Sequence, residues 1–311
     1  PRSTLFPYTT LFRSVTLVVR PGAEVGAAAV VELGAPAKGY IRVTNRAVTA
    51  RDGSRSRITI ERTVHSDHIQ YTIEGTLARD ASPRRDRRTV ADPTALTMAV
   101  FGNVLEEVGV AVRGAARRGG VPEKGARRVH RLYSPPLSSV LADTNKYSSN
   151  FMAEMVLRTM GAELRGAGST DAGIDVVRAY LDRLGVAPSD YVIRNGSGLS
   201  RETRMSPGVL TAVLLHMATD RRVGAEFVAS LSIAGRDGTL GTRMSEVAGL
   251  VRGKTGTLSG VHCVAGYAYG ADGEMYAYAF LVNDVRGSLD AVKAIQDDFL
   301  RELVEATDQD A

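Results

Sequence analysis

Lys254-Thr255-Gly256 lies in the run VRGKTGTLSGVHCVAGYAYG, where a cation, a hydroxyl and a bare backbone position share one short β-rich stretch. Strand alternation puts Lys254 and Gly256 on the same face, and Gly256 has no side chain to block what approaches the ammonium. A strand built this way can form the wall of an active site. About a hundred residues upstream, Ser148-Ser149-Asn150 supplies two hydroxyls and an amide that both donates and accepts. Such groups suit acyl transfer, which needs an activated hydroxyl, a proton donor for the leaving amine and an oxyanion hole. No serine in these residues is followed three positions later by a lysine.

Periodicity predicts the elements that must hold these groups. From Leu137 through Met160 apolar residues recur at helical intervals, with a break around Asn145 to Asn150 that puts the Ser-Ser-Asn triplet at a helix–helix junction. Leu250 to Thr257, Val261 to Tyr269 and Met275 to Val282 read as three successive antiparallel strands, the last two joined around Asp272-Gly273. After them Leu289, Val292, Ile295, Phe299, Leu303 and Val304 form the apolar stripe of a helix able to cover that sheet. Upstream the texture differs. From Val15 to about Thr76 the runs VTLVVR, AAVVEL, YIRVTNRAV, SRITIERTV and HIQYTIEGT predict a small all-β unit. Arg79 to Arg88 is polar and reads as a linker, and Pro93 to Val108 as a helix ended by Gly109. The division expected is a β-rich unit at 15–78, a linker at 79–92, an α+β domain at 93–307 and a tail at 308–311.

Residues 1–14 stand apart. Thr4 to Ser14, TLFPYTTLFRS, matches one reading frame of a common short-read sequencing adaptor, so this stretch is expected to be an artefact outside any native element. The native N-terminus, with any signal peptide, is then expected to lie outside these residues.

Composition narrows the class. Hydrophobic residues at 44% and charged residues at 23% are ordinary for a globular chain, and no run of about eighteen apolar residues is present to span a membrane. Membrane association through a further segment stays open. The net charge of +5 invites a polyanionic partner, but Arg84-Arg85-Asp86-Arg87-Arg88 has no interleaved aromatics, which argues for a solvated stretch and against nucleic acid. Cys263 is the only cysteine, so no intramolecular disulfide forms, and its apolar strand predicts a buried structural thiol. His65 and His68 lie three apart in a stretch that reads as strand, where that spacing sends them to opposite faces and argues against a metal site. Gly166-Ala167-Gly168-Ser169 lacks the third glycine of a dinucleotide fingerprint and reads as a loop.

Four stretches then stand in order: DTNKYSSNFMAEMVLRTMGA, NGSGLSRETRMSP, SLSIAGRDGTL and VRGKTGTLSGVHCVAGYAYG. Together with SPPL at Ser134 to Leu137 they closely resemble the low-molecular-mass class C penicillin-binding proteins, D-alanyl-D-alanine carboxypeptidases and endopeptidases. The resemblance runs from about Val15 to Asn283. It implies an α+β fold with a serine β-lactamase-like antiparallel sheet and helices, preceded by part of a β-rich insertion domain, and it places the nucleophile motif ahead of these residues.

The resemblance also implies roles. Ser148 would relay a proton toward the leaving D-alanine, and Asn150 would hold the substrate peptide group. Lys254 would stabilise the Ser148 hydroxyl and attract the terminal carboxylate, with Thr255 and Thr257 beside it and Gly256 leaving the approach open. The Thr257 N–H would be one oxyanion donor, and Lys146 would add positive potential, joining Thr255, Gly256 and Thr257 in facing substrate. No cofactor is implied. The partners implied are peptidoglycan stem peptides, with β-lactams as inhibitors, and the location is extracytoplasmic, in the periplasm or cell envelope. Asn195-Gly196-Ser197-Gly198-Leu199-Ser200 departs from the family's usual Asp at its first position. A peptidoglycan-binding protein without a nucleophile is the alternative, and a serine β-lactamase a weaker one.

Overall fold

The structure, a computed structural model, describes residues 14–306 except positions 36, 115, 116, 118, 121–123, 128 and 132. The adaptor-like stretch, apart from Ser14, and the 308–311 tail lie outside the described residues. Two compact units divide between positions 128 and 129.

The first unit contains the strands predicted from alternation. β1 (Ser14–Arg20) turns Val15, Leu17 and Val19 into a buried core. It pairs antiparallel with β2 (Val30–Leu33). β3 (Ile41–Ala50), β4 (Arg57–Val64) and β5 (Ile69–Ala78) make a second sheet, with β5 in the centre, parallel to β3 and antiparallel to β4. Ile41, Ile58, Ile60, Ile69, Tyr71 and Ile73 fill the core shared with β1.

Three expectations change here. The linker assigned to 79–92 contains β6 (Arg84–Thr89), which pairs antiparallel with β1 from Ser14↔Thr89 to Val19↔Arg84. Composition misleads because the arginines find partners on the sheet: Asp86 sits between Arg84 and Arg88, and Arg84 Nη1 donates to the Ile58 carbonyl at 2.7 Å. Helix α1 (Pro93–Glu107), capped by Asp92 through the N–H groups of Thr94 and Ala95, belongs with this unit rather than with the following domain. Its Leu96 is buried in the first core, and Asn103 Oδ1 accepts the Lys38 N–H at 2.6 Å. His65 and His68 do not diverge. They flank the β4–β5 turn, where the strand period no longer holds, and their rings stack at 4.3 Å.

In the second unit, α2 (Leu137–Tyr147), α3 (Asn150–Arg165) and α4 (Thr170–Arg183) follow one another. The short pair β7 (Tyr191–Val192) and β8 (Arg204–Met205) brackets the Asn195–Ser200 loop. Then come α5 (Pro207–Thr219), α6 (Gly224–Ser230) and β9 (Ser232–Ile233). β10 (Val251–Leu258), β11 (Val261–Tyr269) and β12 (Met275–Val282) form the expected antiparallel sheet in the order β12-β11-β10-β9. β9 meets β10 only at Ser232–Ile233, so the edge of β10 beyond Gly253 carries no strand partner among the described residues.

The sheet is covered on both faces. Val251, Val264 and Ala268 pack against Leu300 and Val304 of α7 (Leu289–Glu305). Tyr267, on the opposite face, packs with Leu214 and Leu231 and donates its hydroxyl to the Leu214 carbonyl at 2.6 Å. The stripe expected on α7 is rotated. Gln296 and Leu300 are buried while Ile295 and Phe299 are exposed, with Gln296 Oε1 accepting from Arg243 Nη2 at 3.4 Å.

Candidate active site

The site is assembled from chain segments that end or begin beside one another. α2 stops at Ser148, a residue other than glycine held in the left-handed region at φ 54°, ψ 52°, and α3 starts at Asn150. Ser149 caps α3 by accepting the Met152 N–H, while its own N–H returns to the Thr144 carbonyl. Two helices thus abut with two residues between them, and a left-handed conformation of roughly 1–2 kcal/mol cost throws the Ser148 side chain out of the junction.

It meets β10. Lys254 Nζ donates to Ser148 Oγ at 2.7 Å and to the Thr255 carbonyl at 2.6 Å. Burial holds the Lys254 ammonium below the ordinary lysine range. The two motifs, 106 residues apart, are therefore one hydrogen-bonded unit. Gly256 is exposed, and a Cβ there would have only Cys263 Cβ nearby, at 3.9 Å, so the strand face beside Lys254 is bare as its spacing predicts. Cys263 pairs with Gly256 and is half-buried, more open than the buried thiol expected, because glycine leaves it uncovered on that face. Asn150 and Thr257 are exposed at the same junction and strand. Thr255 donates its hydroxyl to Thr239 Oγ1 at 2.8 Å.

Lys146 behaves differently from the expectation that it faces substrate. Its Nζ donates to Asp237 Oδ2 at 2.7 Å and to the Leu231 carbonyl at 2.9 Å, tying α2 to the segment around β9. Its neighbour Asn145 donates to Ser230 Oγ at 2.7 Å. Sequence reasoning passed over Asp237, Thr239 and Ser230, whose partners lie far away in the chain; the stretch SLSIAGRDGTL was the one signal that they matter.

The Asn195 departure costs no contact. Asn195 Oδ1 accepts the Gly198 N–H at 3.1 Å, a bond that a carboxylate would also accept. Ser197 donates its N–H and hydroxyl to Glu154 Oε1 at 3.0 and 2.7 Å. Burial pushes the Glu154 carboxyl up, but the Ser197 and Gly196 bonds and Arg158 outweigh it and hold the group below the usual range. Arg201 then ties this loop to the β10–β11 turn through the Ser259 carbonyl at 3.1 Å.

A profile of the D-Ala-D-Ala carboxypeptidase 3 (S13) family matches residues 13–303. The chain belongs to the S13 family. Among curated S13-like relatives, the D-alanyl-D-alanine carboxypeptidase of Actinomadura sp. (strain R39) is 39% identical over 92% of this chain and 54% of its own length. The D-alanyl-D-alanine carboxypeptidase DacB of Haemophilus influenzae is 27% identical over 82% of this chain and 53% of its own. The chain spans about half the length of these relatives. A crystal structure of penicillin binding protein 4 (dacB) from Haemophilus influenzae, complexed with a β-lactam, superimposes with a TM-score of 0.71 at 24% identity, over 94% of this chain and 70% of that one. That likeness establishes the α+β penicillin-binding fold for this S13 chain.

Proposed function

We propose that the chain supplies the proton-relay, carboxylate-binding and part of the oxyanion machinery of a serine-type D-alanyl-D-alanine carboxypeptidase or endopeptidase acting on peptidoglycan stem peptides. The observation that carries this reading is the Lys254 Nζ–Ser148 Oγ bond, which makes a relay out of two remote motifs. As the acyl-enzyme forms, the C–N bond to the terminal D-alanine breaks and its nitrogen takes a proton. Ser148 gives its hydroxyl proton to that nitrogen and takes up the proton released by the attacking hydroxyl, while Lys254, a cation held beneath it, stabilises the oxygen between the two transfers. Asn150, exposed one turn away, orients the peptide group. The Thr257 N–H stabilises the developing oxyanion, and the Lys254 charge draws the terminal carboxylate to the strand edge at Thr255. Lys146 contributes by bracing α2 through Asp237 rather than by meeting substrate.

The attacking serine and its lysine base are not among these residues as Ser-x-x-Lys. That absence favours a second reading, a peptidoglycan-binding protein that keeps the cleft without the chemistry. The location that fits the substrate is outside the cytoplasmic membrane; among the described residues no helix is long and apolar enough to cross one.

Labelled penicillin separates the readings. The full-length protein is expected to be acylated, and Ser148→Ala to slow hydrolysis of a D-Ala-D-Ala peptide by about 10²–10⁴-fold. A full-length protein that binds peptide yet takes up no label would be the binding protein. The 311-residue chain alone is expected to take up no covalent label.

A further inference from the structure

The turn Asp237-Gly238-Thr239 touches both motifs and has been given no part in substrate binding. Asp237 Oδ2 holds Lys146 Nζ at 2.7 Å, and its Oδ1 accepts the Ile233 N–H at 2.8 Å, so one carboxylate joins α2 to β9. Gly238 has φ +60°, and a Cβ there would stand 2.8 Å from the Lys146 carbonyl oxygen and 2.3 Å from Ser232 Oγ. The turn is therefore seated against the last turn of α2, next to Ser148. From that seat Thr239 reaches the edge of β10, where Thr255 donates to Thr239 Oγ1 at 2.8 Å.

Proton counting decides what this pair can do. Two hydroxyls in a mutual hydrogen bond use one O–H between them and keep one to give away. The Thr255 proton is committed to Thr239, so the donor left to the pair is the Thr239 hydroxyl. Within the protein that proton faces Ser232 Oγ, which gives its own to the Lys146 carbonyl at 3.4 Å and receives the Thr239 N–H at 3.2 Å; at 3.3 Å the Thr239–Ser232 contact is longer than an ordinary O–H···O bond, so a carboxylate can take the proton in its place. Thr239 is exposed and Thr255 half-buried at the open edge of the strand that carries Lys254. A carboxylate drawn there by the ammonium needs a donor, and Thr255 by itself has spent its own.

We propose that Thr239 is a specificity-determining residue whose hydroxyl donates to the C-terminal carboxylate of a D-alanyl-D-alanine peptide, with Asp237 and Lys146 as the brace that positions it. The choice of peptide rests on the functional reading above.

The test uses the 311-residue chain itself, labelled with ¹⁵N and titrated with N-acetyl-D-alanyl-D-alanine or with its C-terminal amide. The acid is expected to shift the Thr239 and Thr255 amide resonances saturably. Thr239→Val should weaken acid binding roughly tenfold or more, the effect of losing a hydrogen bond to a charged group, and leave amide binding unchanged. Thr239→Ser should restore the preference for the acid. The proposal is overturned if wild type does not bind the acid, if Thr239→Val binds it as tightly as wild type, or if the variant loses acid and amide alike. Acid binding at Thr239 in a full-length protein that takes up no penicillin would defeat the catalytic reading and leave Thr239 in its role. Penicillin uptake together with an unchanged acid preference in Thr239→Val would do the reverse.

Discussion

Burial, not a neighbouring cation, is what lowers the affinity of Lys254 for its proton relative to the ordinary value of 10.5. Its ¹³Cε resonance should therefore titrate below that value and stay there in Ser148→Ala, which removes a hydroxyl without opening the cleft; a return to the ordinary value in that variant would mean that Ser148 sets it. His262 makes a second residue-scale prediction. It is 1% exposed, and burial, Arg243 and Lys293 hold its imidazole below 6.5, against opposing contributions from Gln296 and Asp297. The unfolded chain then takes up this proton first, so stability present above about pH 6.5 declines as pH falls from there toward the lower folded value. In urea denaturation at successive pH values, wild type should lose stability relative to His262→Leu on acidification. A constant gap between the two would exclude His262 as the cause.

At the scale of elements, close backbone approach sets the helical half of the site. A Cβ on Gly173 of α4 would lie 2.2 Å from the Leu157 carbonyl of α3, and one on Gly161 would lie 2.8 Å from the Gly173 nitrogen. These two glycines let α3 and α4 pack around Leu157, Ile174 and Leu181. Gly173→Ala gains helix propensity but must push the helices apart, so it should destabilise the chain by roughly 1–3 kcal/mol, read as a lower urea midpoint. An unchanged midpoint would show that the pair can slide. The helix start at Pro93, the break between helices around Asn145 to Asn150 and the three C-terminal strands were legible because caps, turns and alternation are local. β6 was not: five charged residues in succession look like solvent-exposed chain until β1 offers them a partner.

For the whole molecule, each unit has its own core, one around Leu17, Tyr71 and Leu96, the other around the β10–β11 sheet and the α3–α4 pair. The residues described between Gly109 and Pro136 form no helix or strand, and Arg113, Arg117, Arg127 and Arg131 lie among them. Limited trypsin treatment should cut there first, since cleavage favours backbone outside hydrogen-bonded elements. Mass spectrometry should then find the two units as separate fragments; first cuts inside β3 or β10 would contradict the division.

Residue order alone determined the motifs, their family and the elements on which they ride, because each depends on neighbours within a few positions. It also foretold that Ser148 would sit where one helix gives way to another and that Lys254 and Gly256 would share a face. Only the tertiary structure decided that Lys254 reaches Ser148, that Lys146 turns away to Asp237, and that Thr239 stands against Thr255. Those pairings cross 106, 91 and 16 residues of chain. Hydrogen bonds at such separations follow from how helices and sheet pack, and packing is a property of the buried surfaces rather than of any short stretch of residues.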